Sequence, residues 1–350
     1  MSRTASRPVI AAVATASLLV LAACGGHDKK PVAAPSPSTT SATPSAAPAA
    51  APATCPLTGR VPGKNEKRDR PTLAVKIDNV DIARPQTGID HADIIFEETV
   101  EGGLTRLFAV FQCDSAPVIG PVRSARTTDS DLIRLFGKAI FGYSGANSSV
   151  NARINATPGA VPLSYDANGG LYYRNGSRPA PHNVYTSTST LVKAGLAHNK
   201  SVKAPKPLFA YAKTTAAKTV VHSISLHWSG YASAAWGWTG KAWNRTQNGS
   251  PDVLVGGHRV SVDNVVVMRI TTRYLGLRDV LGNASPDDVI TGQGRVWVFR
   301  NGRLILGHWR HKYASSPLKL IDSKGKQIHL APGHTWVELL PSAGTVSYGR

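Results

Sequence analysis

The sequence predicts an α+β protein, in which a mixed α/β region over residues 57–216 precedes a smaller, antiparallel β-rich region over residues 217–350. Strand-like and helix-like segments alternate in the first region, whereas helix patterns are almost absent from the second. The chain has 350 residues, enough for about two domains, and 42% of them are hydrophobic. This hydrophobic share can build real cores and excludes a wholly disordered chain.

Apolar segments predict the strands of the first region. Leu73, Val75 and Ile77 alternate with three other residues, which predicts a half-buried strand. The polar residues 128–131 come directly before Leu132 and predict the start of a capped helix. Further elements are central strands, apolar on both faces, at 94–96 and 107–111, a strand at 140–143 and a helix over 187–197.

The second region contains strand patterns and turn signals. Arg300-Asn301-Gly302-Arg303 is typical of a two-residue type I′ hairpin turn, and residues 323–326 predict another hairpin. Five of the seven tryptophans lie between positions 228 and 297, where core positions are expected and an exposed indole would stack on a sugar ring. The predicted strands cover 220–228, 236–243, 265–274, 296–299 and 304–309.

The N-terminus has the pattern of an export signal, predicted over residues 1–23. Arg3 and Arg7 precede an apolar segment over 9–23, which is too short to span a membrane but suits a signal peptide. The segment ends in Leu21-Ala22-Ala23-Cys24-Gly25, which looks like a bacterial lipobox. Cleavage before Cys24 and acylation of this residue, palmitate included, would anchor the protein in the cell membrane on its extracytoplasmic face. An ordinary signal with a chance cysteine is the alternative.

Residues 24–56 predict a disordered linker that follows the lipid anchor. The segment is rich in proline, alanine and serine and contains no aromatic residue, so it cannot bury enough apolar surface to fold. The formal charge of the whole chain is +19, with a sequence pI near 10.1. An exported basic protein suits anionic envelope polymers, whereas export and the scattered positions of the charges argue against nucleic acid.

Two cysteines remain after Cys24, and they are Cys55 and Cys113. Outside the cytosol such a pair most often forms a disulfide, here closing a loop that would stabilise the fold by about 4 kcal/mol. Two unpaired buried thiols are the alternative. Neither cysteine belongs to a CxxC motif, so a redox enzyme is not indicated.

The first candidate site segment runs from Glu97 to Arg106. If the preceding strand continues, Glu98 lies on the face of Ile94 and Phe96, while Glu97 and Glu101 point the other way. Two carboxylates at the end of a strand are suited to acid–base hydrolysis. Structural ion pairs with neighbouring arginines explain the same residues equally well.

The second candidate segment contains Arg123 and Arg126, directly before the predicted helix. Two guanidinium groups beside a helix N-terminus suit a phosphate or a carboxylate. A salt-bridge network with Asp129 and Asp131 is an equal alternative.

The third candidate segment, residues 178–186, is a proline-flanked loop that presents His182 and Tyr185. It could position a general base or a pair of sugar contacts, although no acid nearby in the sequence would orient the histidine. No cofactor or metal is expected, because P-loop, GxSxG and HExxH motifs are missing from the sequence. His308 and His311 would lie on opposite faces of a strand, which disfavours chelation.

Several segments together resemble the YerB-like bacterial lipoproteins. The resemblance covers roughly residues 57–345 and implies a lipoprotein with two uncharacterised domains and no established activity. Its signature segments include the same polar residues, and Asp78 joins them. The matching segments are 73–79, 83–88, 92–97, 100–106, 120–126, 181–186, 296–302 and 332–338.

These observations favour a lipid-anchored cell-envelope protein that binds an anionic or glycan ligand of the cell-wall type. The ligand-binding residues would be Asp78, Arg123, Arg126, His182 and Tyr185. One alternative is an envelope hydrolase that uses Glu98 or Glu101 together with His182. Another is a non-catalytic scaffold that recruits a membrane protein through a β edge or a tryptophan surface. The sequence does not decide whether the protein is an enzyme.

The anchor can be tested at Cys24. Metabolic labelling with a palmitate analogue should label the wild type, whereas Cys24→Ser should remain unlabelled, because the acylated thiol is lost. The variant should stay uncleaved or be released into the medium. A wild type that takes up no label and partitions into the aqueous phase would contradict the lipoprotein interpretation.

Overall fold

Two large β-sheets and three α-helices form most of the part of the chain that the structure, a computed structural model, describes: residues 53–279 and 281–350. The predicted signal peptide, Cys24 and most of the linker lie outside these residues. Among the described residues, no helix is long and apolar enough to cross a membrane.

The first half of the chain, up to residue 211, contains all three helices. Its strands are β1 (Thr72–Asp78), β2 (Ile94–Thr99), β3 (Thr105–Phe111), β4 (Ala139–Tyr143), β5 (Ala160–Ser164), β6 (Tyr173–Arg174), β7 (Val184–Tyr185) and β8 (Ala210–Tyr211). Its helices are α1 (Thr127–Arg134), α2 (Ser148–Asn155) and α3 (Thr188–His198). Short 3-10 turns lie at Asp81–Ala83, Ile89–His91, Glu101–Gly103 and Gly169–Leu171.

The second half consists of strands and connecting turns. Up to residue 278 the strands are β9 (Thr219–Val220), β10 (Ser223–His227), β11 (Ser233–Trp238), β12 (Trp243–Gln247), β13 (Ser250–Pro251), β14 (Ser261–Val262) and β15 (Asn264–Arg278). They are followed by β16 (Ala284–Val289), β17 (Gly292–Arg300), β18 (Arg303–His311), β19 (Lys319–Asp322), β20 (His329–Leu330), β21 (Thr335–Pro341) and β22 (Thr345–Gly349). The predicted α+β class, with a mixed first region and a β-rich second region, is confirmed.

The larger sheet contains strands from both halves of the chain. Its order is β19-β18-β17-β15-β21-β2-β3-β1-β4-β5, with β16 added beside β15 and β9 beside β18. Strand β21 lies between β15 and β2 and runs parallel to both. The second sheet, β13-β12-β11-β10-β22 with β14 beside β12, is antiparallel throughout. It packs on one face of the larger sheet through the core that β1, β17 and β21 share with it.

Three local predictions have different outcomes in the structure. The hairpin at 300–303 is confirmed, because Asn301 and Gly302 have φ values of 50° and 64°, as a type I′ turn requires. The segment 236–243 is not one strand, because the polar turn at 239–242 folds β11 back onto β12. After β19 the chain reverses as predicted, with Ile321 opposite Gln327, but β20 then pairs with β8.

The prediction that β1 is half-buried is wrong, because every residue of the strand is buried. Leu73, Val75 and Ile77 enter the core beneath the second sheet. The opposite face carries Lys76, whose ammonium group lies between two buried carboxylates and is therefore compensated without water. An alternating pattern thus marked two buried faces, one apolar and one ionic.

The predicted disulfide between Cys55 and Cys113 is present, with the two Cα atoms 5.9 Å apart. It attaches the segment before β1 to the chain just after β3. Tryptophans fill the core as expected: all but Trp238 are less than 10% exposed, and Trp238 is partly buried.

A buried ionic cluster joins the two sheets. The Arg245 guanidinium, on β12, donates through Nη2 to Oε2 of Glu97 on β2 at 2.6 Å and through Nη1 to Oδ2 of Asp252 at 2.5 Å. It also lies over the ring of Trp336, 4.5 Å from the centroid. None of these ionic side chains is more than 2% exposed. Removing Arg245 would leave uncompensated carboxylates in the interior, and removing either carboxylate would leave a buried guanidinium donor without its partner.

Glu338 adds a third carboxyl group to this cluster. It lies beside Glu97 on the neighbouring strand, and burial together with the charge of Glu97 raises its pKa well above the usual value. Glu338 therefore favours its protonated, neutral form more than an ordinary glutamate does. Trp236 donates to it through Nε1 at 2.8 Å, and Trp336 donates to both glutamates at 3.0 and 3.1 Å.

Two amide substitutions should separate the charged glutamate from the protonated one. Glu97→Gln should lower the free energy of unfolding by about 3 kcal/mol, because it removes one counter-charge of buried Arg245. Glu338→Gln, the matched control, should cost less than about 1 kcal/mol, because an amide replaces a neutral carboxyl group. Urea denaturation measures both changes, and equal losses would contradict the assigned protonation states.

Candidate functional site

A cleft of about 630 Å³ opens at the end of β1, on the face of the larger sheet that carries α1 and α2. Its wall includes the turn after β2, the segment 123–126, the start of α2 and the loop before β7. Arg278, Asp279 and Leu281, from the arm formed by β15 and β16, complete the rim. Residues from both halves of the chain therefore line one cleft.

Most of the polar residues singled out in the sequence come together here. The cleft is lined by Asp78, Glu101, Arg123, Arg126 and His182. Glu98 and Tyr185 are not part of its lining. Tyr185 is buried on β7, where its ring packs against Gly120 and stacks on Tyr173 with centroids 5.9 Å apart.

Asp78 connects His182 to the cleft. Its Oδ2 lies 2.7 Å from His182 Nδ1 and 2.9 Å from Arg123 Nε. Burial works to raise the pKa of Asp78, but the hydrogen bond from His182 and the charges of Arg106 and Arg123 hold it below its usual range. Because Asp78 is ionised, His182 donates from Nδ1, and Nε2 has no hydrogen-bond partner among the described residues.

Arg106 is the least compensated cation of the cleft. It lies on β3 opposite Asp78, is 8% exposed, and donates from Nη1 to the carbonyl oxygen of Ser124 at 3.0 Å. Burial, then the charge of Arg126 and, less strongly, that of Arg123 lower its pKa to about 9, against the opposing charges of Asp78 and Glu101. No carboxylate of the described residues forms an ion pair with it. A buried guanidinium in this condition is stabilised by an added anion.

Arg126, by contrast, is fully paired. Its Nε and Nη2 donate to Oε2 of Glu101 at 2.7 and 2.6 Å, and Ser285 donates to the other oxygen of that carboxylate. Glu101 does not point away with Glu97 as the continuous strand predicted. The strand ends at Thr99, and the following turn, with Gly102 at φ 68°, brings Glu101 to the cleft side.

Glu98 lies beneath the cleft rather than in it. It shares the face of Ile94 and Phe96, as predicted, and is fully buried. Lys76 Nζ bonds to its Oε1 and also donates to Asp129 Oδ1 at 2.8 Å. Burial, with the charge of Asp129, raises the pKa of Glu98 to about 8 despite the ammonium group of Lys76.

The two aspartates at the start of α1, Asp129 and Asp131, bind other parts of the fold. Asp129 accepts from the backbone N–H of Arg126 at 2.7 Å and from Lys76. Asp131 lies 3.4 Å from Arg153 of α2. The expected salt-bridge network of the two arginines with Asp129 and Asp131 is thus not formed as such: Arg126 pairs with Glu101, and the aspartates pair with Lys76 and Arg153. The Nη nitrogens of Arg123 have no hydrogen-bond partner among the described residues.

Two features of the candidate site could not be predicted from the sequence alone. Arg106 was recognisable only as an ion-pair partner, because nothing in its neighbours indicates that its guanidinium is buried without a counter-ion. The acid that orients His182 is Asp78, more than a hundred residues earlier in the chain. Both contacts arise from strand register and loop closure, which local patterns do not encode.

The histidine pair at 308 and 311 lies on opposite faces of β18, as predicted: His308 is exposed and His311 is buried. Among the described residues, one group of potential metal ligands comes within ligand distance, namely Cys55, Glu66 and Cys113. Its two sulfurs are joined in the disulfide and supply no thiolate.

Comparisons with known proteins agree with the expected resemblance. Models described as the N-terminal and C-terminal domains of "Protein of unknown function (DUF3048)" match residues 57–202 and 223–337. The chain is 26% identical over 295 residues to the "Putative lipoprotein YerB" of Bacillus subtilis, covering 81% of this chain and 85% of that protein. The crystal structure of YerB from Bacillus subtilis has the same fold, with a TM-score of 0.70 and 24% identity, over 84% of this chain and 99% of that one.

The raised pKa of Glu98 predicts a pH dependence of stability. Between its ordinary value of 4.5 and about 8, the folded state binds a proton that the unfolded state does not. The part of the unfolding free energy that this proton contributes is complete below pH 4.5 and is lost as the pH rises to about 8. In wild type this group should make the unfolding free energy fall by up to about 1.4 kcal/mol per pH unit across this interval, and the Glu98→Gln variant should lack this part of the fall.

Urea denaturation at several pH values within this interval measures the difference. Parallel curves for wild type and Glu98→Gln would show that Glu98 is ionised in the folded protein.

Proposed function

Because the chain belongs to the DUF3048 family, which has no assigned activity, we propose a function from the cleft itself. The protein is a lipid-anchored component of the cell envelope whose cleft binds an anionic ligand of the cell-wall type. Arg106 and Arg123 hold the negative group, His182 contributes a hydrogen bond, and Asp78 orients these side chains. Tyr185, buried away from the cleft, supports the loop rather than the ligand.

The observation that carries this proposal is the condition of Arg106. A guanidinium that is 8% exposed and has its pKa lowered to about 9 lacks a counter-ion. Arg123, 22% exposed at its side chain, presents its Nη nitrogens beside it. A carboxylate or phosphate placed between the two would form charge-assisted hydrogen bonds, each stabilising by about 1.5–3 kcal/mol.

The form of the cleft suits a ligand that is more than a bare anion. Its volume of about 630 Å³ lies within the range of small-molecule sites, which is about 300–1,000 Å³. Apolar side chains at Leu104 and Leu281 line it together with Tyr165, whose ring has the Arg174 guanidinium 5.1 Å from its centroid. Such mixed walls fit a sugar that carries an acidic substituent.

The location of the protein rests on the anchor. Its relative in Bacillus subtilis is described as a lipoprotein, and the segment before Cys24 looks like a lipobox. Acyl chains on Cys24 would hold the folded part outside the cytoplasm, where cell-wall polymers with carboxylate and phosphate groups are the abundant anions. The membrane itself is thus the first partner, through the acyl chains.

An envelope hydrolase is the second candidate, and the contact between Asp78 and His182 favours it. A carboxylate that fixes the imidazole through Nδ1 leaves Nε2 able to accept a proton. Glu98 and Glu101 fit this role poorly, because one is buried with Lys76 and the other is held by Arg126. A scaffold function through tryptophans has less support, because these side chains fill the core.

Binding can be measured with the full chain in detergent micelles and fluorescently labelled muropeptides from muramidase-digested peptidoglycan. Arg123→Ala should weaken binding at least about tenfold, because one charged hydrogen-bond donor is lost. Arg106→Gln should weaken it similarly. Arg303→Ala, which removes an equal charge outside the cleft, is the matched control and should bind like wild type.

Unchanged binding by both cleft variants, with wild-type melting temperatures, would overturn the assignment of the ligand site. Mass spectrometry of the same mixtures separates binding from catalysis. Products that accumulate with wild type and disappear with His182→Ala would establish the hydrolase instead.

A further inference from the structure

A second cationic surface lies far along the larger sheet from the cleft residues, on strands β15, β17, β18 and β19. The basic face, as we call it, consists of Arg269, Arg295, His308, Arg310 and Lys319. All but Arg269 are exposed. These side chains share the face of the sheet that the second sheet covers elsewhere, at Trp297 and Phe299 for example. Beyond the part that the second sheet covers, this face is exposed to solvent, as the 46% exposure of Leu306 shows.

The register of the strands sets the basic side chains in two rows. In the first row, His308 of β18 lies opposite Arg295 of β17. On the other side of β17, Met268 pairs with Val296, so the next residue of β15, Arg269, lies beside Arg295. In the second row, Arg310 lies between Gln293 on one side and Lys319 on the other. Neighbours within a row are about 5 Å apart, and the rows are about 7 Å apart.

The positive charges of Arg269 and Arg295 repel each other. The guanidinium carbons of Arg269 and Arg295 lie 5.5 and 4.9 Å from the centroid of the same Trp297 ring. Burial and the charge of Arg295 lower the pKa of Arg269. Arg269 also donates to the carbonyl oxygens of Pro341 and Gly344, which fixes its position without supplying a counter-charge.

No acidic residue offsets this surface. Between Asp288 and Asp322 the sequence contains neither aspartate nor glutamate. Asp322 is the last residue of β19, and its Oδ1 accepts from the backbone N–H groups of Lys324 and Lys326 in the following turn. Asp287 pairs with Arg273, farther along β15. Among the described residues, none of the five basic side chains has an ion-pair partner.

We propose that the basic face binds a linear polyanion whose repeating negative groups are phosphates. Two rows of cations with the spacing of strands match charges that recur along a chain, and a polymer gains from contacting several at once. A bilayer surface fits less well, because membrane-binding faces insert apolar side chains. Trp297 is only 7% exposed, and Leu306 is the one large apolar side chain exposed among the two rows.

The test uses the full chain in non-ionic detergent and a fluorescently labelled inorganic polyphosphate as the probe. The double variant Arg295→Gln/Arg310→Gln should bind about tenfold more weakly and with a smaller dependence on salt, because fewer counter-ions are released. Lys324→Gln/Lys326→Gln removes the same charge from the neighbouring exposed turn and should bind like wild type. Arg123→Ala should also retain polyphosphate binding, which separates this surface from the cleft.

Competition distinguishes the sources of phosphate. Monomeric inorganic phosphate and phosphatidylglycerol bicelles, at the same phosphate concentration, should displace the probe poorly. Equal affinity of the double variant and wild type would overturn the proposal. So would an equal loss in the turn-lysine control, which would mean that only net charge matters, or displacement by the bicelles, which would assign the basic face to a membrane.

Discussion

The buried guanidinium of Arg245 is the interaction on which the arrangement of the two sheets depends. It comes from the second sheet and meets Glu97 of the larger one, with Asp252 as its other partner. Burying these groups is unfavourable unless their charges meet, so the packing of the two sheets must bring Arg245 to its two carboxylates. The raised pKa of Glu338 limits the excess of negative charge, because Glu97 and Asp252 already face a single cation, beside two indole N–H donors.

Strand β2 divides this ionic core from the site. Consecutive residues of a strand point to opposite faces, so Glu97 faces Arg245 while Glu98 faces Lys76. The two adjacent glutamates thus belong to separate buried clusters, each with more carboxyl groups than cations. On the cleft side, Glu101 is already held by Arg126. Arg106 is therefore left without an ion-pair partner among the described residues, and the proposed anion site depends on this shortage.

The sequence was informative where a local pattern has one physical meaning. The turn at 300–303 requires two residues with positive φ, and the two cysteines after Cys24 were expected to form the disulfide that the structure contains. It was also sufficient to select the polar segments that meet in the cleft. It could not show that Glu98 is buried beneath the site, or that Asp78 orients His182, because both depend on which strands pair and how loops close over them. The alternation in β1 misled for a similar reason, since a buried ion pair looks like a solvent-exposed face.

The excess positive charge of the chain is not spread evenly between the interior and the surface. Three of the buried cations are compensated: Lys76 and Arg245 by carboxylates, and Arg300 by the carbonyl oxygens of His329 and Ala212. Arg106 is the exception. Within the described residues, the remaining positive charge lies mainly on side chains that are exposed or partly exposed, and the cleft and the basic face are two places where it is concentrated. A surface of this kind attracts polyanions over about 8–10 Å at physiological salt, before any specific contact forms. In the proposed function, specificity would come from the buried guanidinium of Arg106, whose charge water screens less than it screens the charges of the basic face.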